Sequence, residues 1–116
     1  MEKQPTCDWI GASGTRYTYY IYELPASFDP NQNGNYIYVT KNIQNKWVPV
    51  YIGQGDLADR SGPSHHRADC IKRKNATHFH CSLNPREADR IKEEKDLLSR
   101  YTQAFEPNGC NERTGG

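Results

Sequence analysis

Long apolar runs are missing from this chain. No stretch approaches the roughly 20 residues that a membrane helix needs, and Met1-Glu2-Lys3-Gln4-Pro5 holds no apolar segment of the kind a signal peptide carries. Hydrophobic residues reach only 34%, and there is a single Met. Close cysteine pairs are missing as well: Cys7, Cys70, Cys81 and Cys110 are scattered without a CxxC. Structural zinc sites begin with paired cysteines, so neither His65, His66 and Cys70 nor His78, His80 and Cys81 match a common zinc spacing. Without a secretory signal, a disulfide framework is not expected, and the four thiols read as buried or incidental. These absences leave a small soluble cytoplasmic domain with no membrane partner as the expectation.

What is present is aromatic. The 116 residues make one domain, which buries roughly two-thirds of its unfolded surface. Eight Tyr, three Phe and two Trp are too many rings for a disordered tail. Net charge is +1 and says nothing of partners by itself, but its distribution is uneven. Residues 60–74 hold Arg60, Arg67, Lys72, Arg73 and Lys74 against Asp69 alone. Such a run suits either a phosphate-facing patch or a solvated helix face.

The first dozen residues lack periodicity and read as a lead-in, with Trp9 packed down. Tyr17-Thr18-Tyr19-Tyr20-Ile21-Tyr22 reads as a strand from its β-branched and aromatic content. Pro25 to Gly34 reads as loop. Tyr36 to Val39 and Trp47 to Ile52 then form a hairpin. Alternation places Ile37, Val39, Val48, Val50 and Ile52 on its core face, and Tyr36, Tyr38, Trp47 and Tyr51 on the other. Pro49 cannot donate to a ladder, which predicts a sheet edge or a bulge there.

Asp56 caps a short helix holding Leu57, Ala58 and Arg60, and Ser64 is the candidate cap for a second helix over 65–74. A further strand over 76–83 points Phe79, Cys81 and Leu83 at the core, with His78 and His80 facing away. Asn84-Pro85-Arg86-Glu87 then predicts a helix start, with Asn84 at the cap. Its apolar stripe of Ala88, Ile91, Leu98 and Tyr101 contains Glu94, an inward acid that needs a cation or a site unless it snorkels to solvent. The fold class is therefore α+β: a small mixed or antiparallel sheet flanked by helices.

Gly34-Asn35-Tyr36 and, a hairpin later, Tyr51-Ile52-Gly53 resemble the paired motifs of the GIY-YIG nuclease family, with Asn35 where Ile is usual. Arg60 follows at the place of that family's phosphate-contacting Arg, and His65 and His66 where many members have a His. Glu94, in Glu94-Lys95-Asp96-Leu97-Leu98, resembles the metal-binding Glu of the last helix. Asn111, in preference to Asn108, resembles the Asn that follows it. The ordered set spans 34–111, two-thirds of the chain.

The resemblance implies a β-β-α-β-α core over 34–111, with 1–33 as an extension adding one strand and 112–116 as a flexible tail. It implies a DNA endonuclease using Mg²⁺ or Mn²⁺ held by Glu94, with Tyr36, Tyr51, Arg60, His65 and Asn111 completing the site. A single carboxylate suffices because Mg²⁺ keeps most of its waters, and Arg60 offers a fork of donors to phosphate. The general base stays open between Tyr36, Tyr51 and a His, since an unperturbed phenol is a poor base at neutral pH. DNA backbone contacts are expected from Arg60, Arg67, Lys72, Arg73 and Lys74. The alternatives are an inactive nucleic-acid-binding module on the same scaffold, and a zinc-stapled interaction domain.

Overall fold

The computed structural model of the chain describes residues 4–113, so expectations for residues 1–3 and 114–116 lie outside the described part. The strands are β1 Thr6–Ile10, β2 Arg16–Glu23, β3 Asn33–Lys41, β4 Trp47–Asp56 and β5 His78–Leu83. The helices are α1 Leu57–Arg60, α2 Ala68–Arg73 and α3 Glu87–Arg100, followed by a 3₁₀ turn at Thr102–Ala104. All strand pairs are antiparallel, in the order β1-β2-β5-β3-β4. The protein is thus α+β, with an antiparallel rather than a mixed sheet.

Two strands precede β3 where one was expected. The segment read as a lead-in is β1, and the sheet continues unbroken from it to β4. Its signal is weak because only Cys7, Trp9 and Ile10 are apolar, yet Trp9 is buried. The turn after β1 also grips α3: Asp96 accepts from Ser13 N at 2.8 Å, Ser13 Oγ at 2.6 Å and Tyr17 Oη at 2.7 Å.

Both faces of the sheet are covered, which single-face alternation did not foresee. Tyr36, Tyr38, Phe79 and Cys81 pack under α1 and α2 with Leu57, Cys70 and Ile71. On the opposite face Ile37, Val39 and Ile52 join Trp9, Tyr19, Leu97 and Ala104. Pro49 does mark both an edge strand and a bulge, where the register slips between Tyr38 and Val39. The extra residue reverses the faces beyond it. Val50 therefore packs with the tyrosines, and Trp47 with the Ile37 face.

The opposite face also takes His80, which is fully buried, and leaves His78 half-buried. His80 Nδ1 accepts from Trp9 Nε1 at 3.0 Å, and its ring meets the Trp47 indole edge-on at 4.6 Å. Leu83, expected in the core, is exposed at the strand end opposite Gly34.

The helices start later than their sequence signals. Asn84 does not cap α3, whose first residue follows Arg86; its amide is spent on Asn35. Ser64 does not cap α2, which begins after Arg67. Asp56 does cap α1, accepting from Ala58 N at 3.1 Å. The inward line of α3 is Arg90 and Leu97, flanked by half-buried Glu93 and Glu94, while Ala88 and Ile91 are exposed.

The cysteines hold the largest correction. Cys70 and Cys110 form a disulfide across 40 residues, tying α2 to the closing turn, and only Cys7 and Cys81 are free. Scattered spacing conceals such a bond because nothing local marks the partner. Disulfides persist chiefly in oxidising compartments, so the scattered cysteines no longer argue for a reducing one. No helix among the described residues is long and apolar enough to cross a membrane.

Candidate active site

The middle of the β3–β4 hairpin places Tyr36 and Tyr51 ring to ring, with centroids 6.0 Å apart and planes 18° from parallel. Gly53 makes this packing possible, because a Cβ there would lie 2.5 Å from Tyr36 Oη and 2.8 Å from Tyr51. Gly55, at φ +141°, does the same for Arg60, whose Nε would be 2.8 Å from an added Cβ. The Gly53-Gln54-Gly55 spacing is thus a cradle for two phenols and a guanidinium.

Tyr36 is 1% exposed, and its hydroxyl lies 2.7 Å from His65 Nε2. His65 Nδ1 accepts from Arg67 N at 2.9 Å, so the ring proton sits on Nε2 and is donated to the Tyr36 oxygen. Burial, then His66, Arg60 and Arg67, press the His65 pKa down to about 4, which keeps it neutral. His66 stacks on it at 4.6 Å, exposed, with Nε2 3.3 Å from Tyr51 Oη. Tyr38 is set apart, donating to Arg60 O at 2.6 Å and so orienting α1.

Glu94 arrives from α3, across the sheet, and meets Tyr51 at the β4 edge, where both border an open groove of about 690 Å³. Burial lifts the Glu94 carboxyl above the usual range, and Arg60 pulls it back. Burial raises both phenols as well, with Tyr51 and Glu94 adding to it and Arg60 opposing. Arg60 and the tyrosines, with Glu94, therefore sit within one another's electrostatic reach. Among the described residues neither the Arg60 guanidinium nor the Glu94 carboxylate has a hydrogen-bond or ion-pair partner. Glu93, one residue earlier, is engaged on the other side by Tyr19 Oη at 2.5 Å.

No cluster of three or more His, Cys, Asp or Glu side chains fit to hold a metal occurs among the described residues. A metal here would rest on Glu94 and water alone. The half-buried, unpartnered carboxylate fits a hard cation of that kind.

Asn111 anchors the closing turn: its Oδ1 accepts from Ile52 N at 2.8 Å, and its Nδ2 donates to Ile52 O at 2.9 Å. Both amide atoms are spent on the edge of β4 beside Tyr51, so Asn111 positions that strand. Of the expected phosphate contacts, Arg67 is tied to Cys110 O, Glu106 and Glu112, and Lys74 to Pro107 O. Lys72 and Arg73 remain exposed. Glu112 and Arg113, read as tail, are engaged with Arg67 and the Phe105 ring.

Sequence reading missed Arg90. It is buried with neutral partners only: Nε donates to Gln54 Oε1 at 2.9 Å, and Nη1 to the carbonyls of Asn84 and Pro85 at 3.0 Å. Its place four residues before Glu94 and seven before Leu97 was the available signal. Asn35 belongs to the same network, donating to Arg90 O at 3.0 Å and accepting from Asn84 Nδ2 at 2.9 Å. The departure from Ile at this position is thus a buried amide locking β3 to α3. Asn35→Ile strands the Asn84 amide and costs about 1–3 kcal/mol, read as a lower urea midpoint with an unchanged slope.

Acid titration is a further expectation. His65 and His80 both have folded pKa values of about 4 against the usual 6.5, mainly through burial. The fold favours their neutral form, so their contribution is complete above pH 6.5 and is lost as pH falls toward 4. The upper bound is about 3 kcal/mol for each. Melting temperature should drop steeply over that window, and His80→Phe should flatten the drop; an unaltered profile in the variant contradicts the assignment.

The class defined by fold and site is an antiparallel α+β protein with paired tyrosines, a free guanidinium and a lone carboxylate at one sheet edge. No family model, no curated protein and no solved structure matches the chain.

Proposed function

We propose that the protein is a metal-dependent endonuclease of the GIY-YIG type, hydrolysing DNA phosphodiester bonds. The observation that carries this reading is Arg60 and half-buried Glu94, each without a side-chain partner among the described residues, within electrostatic reach of one another and of Tyr36 and Tyr51. Structural ion pairs are normally closed; a cation and an acid each left free are arranged for something else.

Arg60 grips non-bridging oxygens of the scissile phosphate and counters the charge that builds as water attacks. Glu94, with solvent, would hold Mg²⁺ or Mn²⁺. When bound, such a cation neutralises the phosphate and eases departure of the leaving oxygen. Tyr51 borders the groove and orients the attacking water, with His66 beside its hydroxyl as an outlet for the proton. Tyr36, raised in pKa by burial and held by His65, supports Tyr51 from behind. Neither phenol is a ready base in the resting protein, which favours water orientation over direct proton abstraction.

Incubation with supercoiled, branched and single-stranded DNA, with and without Mg²⁺ or Mn²⁺, tests the activity. Reversing Lys72 and Arg73 to Glu should weaken binding to all sequences alike and lower the salt dependence by about two phosphates. Unchanged affinity and slope would remove that helix from the interface. Binding without cleavage under every condition would favour the inactive binding module.

A further inference from the structure

We propose that the groove beside Glu94 is a nucleobase-binding subsite, so that the substrate strand is unpaired where it is cut. The inference rests on the nuclease reading of the site and adds the substrate class.

A phosphate and its waters do not fill about 690 Å³. The groove runs from Tyr51 and Glu94 past Leu98 to Phe105. Phe105 is half-buried and fixed by its backbone: it forms a bridge with Asn111 and accepts from Gly109 N at 2.9 Å. The Arg113 guanidinium lies over the ring at 4.9 Å. A rigid aromatic backed by a cation, next to the hydrolytic groups, is the construction on which single-stranded nucleic acids stack their bases.

Charge points the same way. A duplex presents two rows of phosphates and calls for cations flanking the cut. Here, among the described residues, Lys72 and Arg73 alone of the 67–74 cations stay free, while Arg67 is engaged by Glu106 and Glu112, and Lys74 by Pro107 O. Glu112 itself stands on the groove rim, with Lys95 as the rim's cation. An aromatic and aliphatic wall with acidic acceptors suits a base face and its amino donors better than a second phosphate row. A paired base is stacked within its helix, so only an unpaired one enters.

The test uses a short single-stranded oligonucleotide carrying 2-aminopurine, its duplex, and the variants Phe105→Ala and Phe105→Leu, the second keeping an apolar side chain in case the first unfolds. The parent should bind the single strand about tenfold more tightly than the duplex and shift the 2-aminopurine emission. Phe105→Leu, with its melting temperature preserved, should lose about fivefold or more in single-strand affinity and abolish the shift, while duplex affinity moves less than twofold. Equal affinity for the two forms, or an unmoved Phe105→Leu, overturns the subsite even if DNA is cut. Phe105-dependent single-strand binding with no cleavage in Mg²⁺ or Mn²⁺ retains the subsite and removes the nuclease reading. Failure to bind either DNA overturns both.

Discussion

Glu94→Gln should lower single-turnover cleavage by at least about 10³-fold while leaving the fold and DNA affinity nearly intact. Gln keeps the size and helix preference of Glu and removes only the charge proposed to hold the cation. Because burial already disfavours the Glu94 carboxylate, losing its charge should not destabilise the protein. Affinity for DNA should rise slightly as a repulsion with phosphate disappears. Arg60→Ala should cost about 10²–10³-fold in rate and, unlike Glu94→Gln, some affinity, since it removes the proposed phosphate contact. Glu93→Gln is the control. Its carboxylate faces Tyr19 on the other side of α3, so the variant should lose about 1–2 kcal/mol of stability and cut normally. Loss of cleavage in Glu93→Gln with retention in Glu94→Gln would reverse the roles.

Replacing Cys70 and Cys110 together by Ser should be the most destabilising change away from the site. Opening a 40-residue loop costs about 4 kcal/mol in the chain-entropy model, on the order of 10 °C in melting temperature. The effect should reach the chemistry as well. The closing turn hangs from Cys110 N to Val50 O at 2.7 Å and from the Asn111 amide to Ile52, on either side of Tyr51. Cleavage should therefore fall when the turn loosens, and the oxidised parent treated with a dithiol should behave like the double variant. A double variant that melts with the parent would show that packing around Cys110 alone holds the turn.

The grouping of Tyr36, Tyr51 and Arg60 was more legible than the scaffold around it, and the reason is physical. Gly53 and Gly55, the tyrosines and Arg60 lie within a short span of sequence, so local turn and strand chemistry fixes their spacing. Glu94 stood out as an acid on an inward face, although the stripe itself was misread: Arg90 and Leu97 face in, while Ala88 and Ile91 do not. A buried Arg with carbonyl and amide partners mimics a surface residue in any hydropathy pattern. The faces of β4 were misassigned beyond the bulge, because one extra residue inverts a period of two. β1 escaped notice because its stability comes from Trp9 packing on Tyr101 and donating to His80, contacts about 70 to 90 residues distant in sequence. The disulfide was illegible for the same reason. Asn35 was visible only as a departure from a motif; its purpose required Asn84 and the Arg90 carbonyl to be seen together.

The most direct measurement is nicking of negatively supercoiled plasmid, whose torsional strain opens short unpaired stretches, by the purified parent and by Glu94→Gln, side by side, across a Mn²⁺ or Mg²⁺ titration with a chelator control. The parent should convert plasmid to the open-circular form in proportion to metal, stop on chelation, and restart when metal is returned. Glu94→Gln should stay inactive at every concentration. Equal nicking by the two proteins, or nicking that survives the chelator, would contradict a Glu94-held metal and the mechanism built on it.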